Sequence, residues 1–139
     1  MATVKANEWI NGMLGATTTS VVDLNTDNID ASLLDQTDSG SITATTAVYD
    51  TVDAAVVVST GDVPALTITN GVVTVASAMT FTSVTGDSAE YLTMFKNSGT
   101  PSTSPLIITW DSATTGLPVT PNGGNIVVTW GSSTVVTLA

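Results

Sequence analysis

A chain of 139 residues with 42% apolar content is long enough to bury a core of its own and too apolar for global disorder. Two cations against twelve acids give a net charge of −10, which excludes electrostatic binding to a phosphate backbone or an anionic leaflet. The lack of Cys and His excludes disulfides, thiol nucleophiles, Ser-His-Asp triads and ordinary zinc sites.

Residues 1–16 hold the one helical pattern. Trp9, Ile10, Met13 and Leu14 recur at the spacing of one helical face, and Gly12 or Gly15 ends it. Such a short amphipathic segment predicts an N-terminal arm or a turn or two of helix. It serves either as a lid on its own domain or as a docking arm for a neighbour. No continuous apolar core follows Lys5, so a signal peptide is not expected, and no window reaches transmembrane length.

Residues 17–139 read as a single β domain. Ser and Thr make up roughly three residues in ten, and β-branched Thr suits a half-exposed pleat. Val22 leads into an Asp/Asn turn over 23–28, and 29–34 lead out as a strand. A polar Gly/Ser/Thr-rich surface loop follows over 36–46, then a continuous apolar run over 54–58 that predicts a buried strand. Residues 66–75, Leu-Thr-Ile-Thr-Asn-Gly-Val-Val-Thr-Val, predict a two-residue hairpin turning at Asn70-Gly71. That register pairs Leu66 with Val75 and Ile68 with Val73 on an apolar face, and Thr67 with Thr74 on the other.

A strand over 79–84 with Phe81 inward comes next, turned by Thr85-Gly86-Asp87. Residues 90–96 are apolar on both faces and predict a central strand. After a loop over 97–104, Pro105 opens a strand ending at Trp110. Pro118, Pro121 and Asn122-Gly123-Gly124 shape a loop before Ile126, Val128 and Trp130 alternate as a late strand, and 134–138 close the chain. Eight or more short strands with regular turn signals predict an all-β fold, an antiparallel β-sandwich of jelly-roll-like form.

Four patterns carry candidate chemistry. Asp23, Asn25 and Asp27 match the opening of a calcium loop, but position twelve is Leu34 instead of a bidentate Glu, so an Asx-rich turn is the better reading and no metal is expected. Asp38-Ser39-Gly40 has the aspartic-protease form but lies in a polar loop, not at the end of an apolar strand. Glu8 and Glu90 are the only glutamates, and Glu90 reads as a strand-edge acid near Lys96. Trp110 and Trp130 could stack on a sugar, although Trp in a strand pattern is more simply core. No enzyme activity and no cofactor are expected.

Residues 81–99, then Ser102-Thr-Ser-Pro105-Leu-Ile, then 116–130 together resemble a widespread group of small proteins from tailed bacteriophages, encoded among virion structural genes. Residues 22–35 are similar to that group's strand-turn-strand opening, and Trp9 to Leu14 to the apolar segment before it; 36–76 depart from it. The resemblance implies a virion protein made in the host cytoplasm: a capsid decoration (cement) protein, or a head-completion, neck or tail component. Its implied partners are the major capsid protein or neighbouring virion proteins, and copies of itself in a homo-oligomer. Nucleic acid and membrane are not among the expected partners. A carbohydrate-binding or adhesin-type module is the alternative from another class. Trp9, Ile10, Met13 and Leu14 are the expected interface residues.

Overall fold

A computed structural model describes residues 4–5, 22–60, 63, 66–70, 72–75, 78–110, 116–129 and 134–137. The fold is all-β with antiparallel sheets and little helix. Its strands are β1 (Val4–Lys5), β2 (Ile29–Leu34), β3 (Val56–Thr60), β4 (Leu66–Thr69), β5 (Val72–Val75), β6 (Met79–Phe81), β7 (Tyr91–Lys96), β8 (Leu106–Trp110), β9 (Ile126–Val128) and β10 (Thr134–Thr137). One helical turn, α1 (Gln36–Ser39), is capped by the Asp35 carboxylate, which accepts from the Thr37 N–H.

The largest sheet runs β1-β8-β7-β2-β3, a second β10-β5-β4, and β6 pairs with β9. β7 is central because it is apolar on both faces: Tyr91 to Phe95 are all buried. Leu33, Leu92, Met94, Ile107 and Trp110 turn one face of the large sheet toward Val73, Val75, Met79, Phe81, Ile126 and Val128 of the smaller sheets. These side chains form one continuous apolar cluster.

The opposite face is covered by residues 36–55, an irregular segment with 3-10 turns at Tyr49–Thr51 and Asp53–Ala55. Leu34, Tyr91, Phe95 and Leu106 meet Ile42, Tyr49 and Val52 there, and the Tyr49 and Phe95 rings stack with centroids 3.9 Å apart. The segment is pinned by the Tyr49 N–H donating to Ser104 O and the Leu106 N–H to Ala47 O. A β-bulge where β7 meets β8 lets Ile107 and Ile108 both join the first cluster while Leu106 joins the second.

Several expectations need correction. Val4–Lys5 is a strand paired with β8, so the helical reading of 1–16 does not extend to those residues. The run 54–58 is not one buried strand. Its start is a 3-10 turn with Ala54 exposed, and β3 is an edge strand with Val56 to Val58 half-buried. The loop 36–46 is not wholly surface, since Ile42 is a core anchor. The strand opening at Met79 stops at Phe81, where Ser83 takes a positive φ of 53°. The hairpin register matches the expected one at every pair, but Ile68 on the apolar face stays 51% exposed. Asn70 has the positive φ (51°) that the turn demands.

Candidate functional site

Charge is segregated in this fold. β4, β5, β6, β9 and β10 contain no Asp, Glu, Lys or Arg, and residues 63–86 and 112–139 are free of charge throughout. The acids of the described residues lie in the turn 23–27, in β2, in the segment 35–53 and at 87–90. Two small antiparallel sheets therefore build an uncharged Thr/Val layer over one face of the large sheet of a strongly anionic protein. Among the described residues its large exposed apolar side chains are Ile68 (51%) on β4 and Val127 (50%) on β9. Isolated exposed hydrophobics are ordinary; their confinement to the uncharged layer marks it as the candidate contact surface.

Backbone bonds tie the loop 116–125 to the residues after β6. The Gly123 N–H donates to Val84 O (2.8 Å) and the Val84 N–H to Gly124 O (3.0 Å). Ala89 and Val119 exchange bonds of 2.8 and 2.9 Å, and the Ser83 N–H donates to the Asn125 carboxamide oxygen (3.1 Å). Residues 83–89 and 119–125 are thus one zipped unit, and Leu117 beside it is buried. Gly116 is required: with φ at 106°, a Cβ there would stand 2.6 Å from Val127 O.

The Asp23–Asp27 region is an Asx turn. The Asn25 N–H donates to the Asp23 carboxylate (2.9 Å) and the Asp23 N–H to the Asp27 carboxylate (2.7 Å). Asp27 also pairs with Lys96 at 2.9 Å. The Asn25 N–H, followed by the Thr26 hydroxyl, holds the exposed Asp23 carboxyl below its ordinary range. Glu90 does not pair with Lys96; its carboxylate accepts from the Gln36 N–H at 3.0 Å.

Asp35, Asp38 and Asp87 bring carboxylate oxygens within 4.8 Å of one another beside a cleft of about 160 Å³. This junction joins α1 to the turn after β6 and was not legible in the sequence, where Asp87 lies far from the other two. Exposed acids converge this way without a ligand, and no cation is assigned to them. Asp38-Ser39-Gly40 forms the last residues of α1 and its C-cap, not the end of an apolar strand. A second cleft of about 250 Å³ is lined by Asp30, Tyr49, Phe95, Asn97 and Ser104, and the Asn97 amide donates to the buried Asp30 carboxylate at 2.7 Å.

Trp110 is buried in the first core, so it cannot serve a sugar-stacking platform with Trp130. Trp130 and the expected interface residues Trp9, Ile10, Met13 and Leu14 lie outside the described residues, as does Gly71. No protein-family model, no curated protein and no solved structure matches the chain.

Proposed function

We propose that this chain is a structural virion protein of a tailed phage, a capsid decoration (cement) protein seated on the outer face of the major capsid protein lattice. The observation that carries the reading is the segregation of charge, which leaves a neutral β layer to dock and an anionic side to face solvent. Neutral, β-branched surface suits an interface of apolar contacts and backbone bonds, because nothing charged needs desolvation. Packaged DNA would repel a chain of charge −10, which favours the outside of the shell. The resemblance of 79–130 to phage structural proteins supports the same reading, as does the zipped unit of 83–89 and 119–125 within it. A jelly-roll-like sandwich and a homo-oligomeric assembly belong to this proposal.

Averaged density of the intact particle tests it. The domain is expected on the outer shell surface at a stoichiometry comparable to the shell subunit. A few copies at the neck or tail would replace the decoration role with a head-completion or tail role, and absence from the particle would end the virion reading. Washing particles in about 1 M salt, where the Debye length is about 3 Å, is expected to leave the protein attached. The Trp9–Leu14 anchor is best tested by Trp9→Ala and Leu14→Ala. Truncation ahead of Gly15 would also remove β1 from the edge of β8.

A further inference from the structure

We infer that the outer edge of β4 is a self-association site, at which two copies of this chain pair antiparallel across a two-fold axis and join their three-stranded sheets. This inference goes beyond the virion reading and stands without it.

The hairpin register fixes which backbone groups are open. Thr69 and Val72 are register partners flanking the two-residue turn, and a two-residue loop closes on a hydrogen-bonded pair. Pairs alternate along an antiparallel ladder, so Thr67 and Thr74 form the next one. Leu66 and Ile68 therefore point their N–H and C=O groups away from β5. Among the described residues β4 is the outer strand of its sheet, and nothing described pairs with that side. Exposed edges are normally blunted by Lys, by inward charges or by bulges. β4 reads Leu-Thr-Ile-Thr, with no charge, and its pairing with β5 is regular throughout.

Ile68 adds a side-chain reason. It lies on the hairpin face where Val73 and Val75 are in the core and Leu66 packs partly buried against it, yet it is half exposed at the rim. One more strand beside β4 would cover it.

The charge distribution selects a second copy as that strand. A molecule of net charge −10 repels itself, and it can approach its twin only through surface that carries no acids. β4 lies within the charge-free run 63–86, inside a sheet with no charged residue. Its sequence is also self-complementary. Centred on Thr67, antiparallel pairing sets Leu66 against Ile68 of the twin on the core side, twice over, and Thr67 against Thr67 on the other. The two Leu–Ile pairs use the four outward N–H groups and the four outward C=O groups of the dimer.

A cysteine-free chain makes this register directly readable. Thr67 opposes itself in a non-hydrogen-bonded pair with Cα atoms about 4.5 Å apart, within reach of a disulfide. Thr69 would stand roughly 14 Å from its twin, out of reach. On mild oxidation of the purified full chain, Thr67→Cys is expected to form a covalent dimer and Thr69→Cys to stay uncrosslinked. Sedimentation of the wild type is expected to show a monomer–dimer equilibrium that Ile68→Lys weakens about tenfold or more. A wild type monomeric up to about 1 mM, weaker than which no specific pair would count, overturns the inference and leaves the edge to a different chain. Equal crosslinking of both cysteine variants, or a dimer indifferent to Ile68→Lys, also overturns it and moves self-association to another surface. Thr67→Cys reports by a gained product, so it decides the matter even if Ile68→Lys fails to fold.

Discussion

The two faces of the large sheet are held by different physics. One is a hydrocarbon contact between sheets, in which Leu33, Leu92, Met94 and Ile107 meet Phe81, Val75 and Val128. The other is a contact between a sheet and an irregular segment, and a buried polar stripe crosses it. Ser32, Thr93 and Thr109 are neighbours across β2, β7 and β8. Ser32 shares a 2.7 Å hydrogen bond with the Tyr49 hydroxyl, and Thr93 one of 2.9 Å with Thr109. Burial of hydrocarbon is tolerant of detail, whereas a buried hydroxyl is costly unless paired. The first face therefore supplies bulk stability, and the second specifies where the segment 36–55 must lie.

The largest effect expected from that contrast is on the first face. Phe81 is almost fully buried between the layers, and Phe81→Ala is expected to cost about 3–5 kcal/mol in urea unfolding. A loss below that of a Val-sized truncation would mean that the smaller sheets do not close the core as described.

Next is the loop that fastens β9 to that same core. Gly116→Ala places a Cβ against Val127 O at a backbone angle that L-residues resist, and about 1–3 kcal/mol should be lost. Unchanged unfolding would show that the loop can shift away from β9 freely.

The second face should respond more mildly and with coupling. Tyr49→Phe keeps the ring stack on Phe95 and deletes the bond to Ser32, for an expected loss of about 0.5–1.5 kcal/mol. Ser32→Ala alone should cost a similar amount, and the double variant less than the sum. Strict additivity would show that the two hydroxyls do not act on each other.

Legibility in the sequence follows the same division. The hairpin register, the inward Phe81, the central β7 and the alternation of Ile126 and Val128 were readable because period-two patterns and an Asn-Gly turn are local signals. Ile42 and Tyr49 were not readable as anchors, since a lone apolar residue in a Ser/Thr/Gly-rich segment has no period. The half-exposure of Ile68 was hidden for another reason: it depends on where the sheet ends, which no residue of β4 encodes. Charge segregation lay in the sequence as the acid-free runs 63–86 and 112–139, but it became a surface only once those runs were seen to pair.

The smallest expected effect concerns the turn that feeds β2, the strand shared by both faces. Asp23 is held below the ordinary aspartate range by the Asn25 N–H first and the Thr26 hydroxyl second. A carboxyl lowered on folding stabilises the fold above its ordinary value, and that contribution is lost as pH falls through the lowered one. Asp23→Asn can still accept from the Asn25 N–H but has no charge to lose. Melting temperature against pH should therefore separate wild type from variant at neutral pH and bring the two curves together in acid. The shift is expected to be small because the carboxylate is fully exposed to solvent. Parallel curves over the whole acid range would remove Asp23 from the pH response.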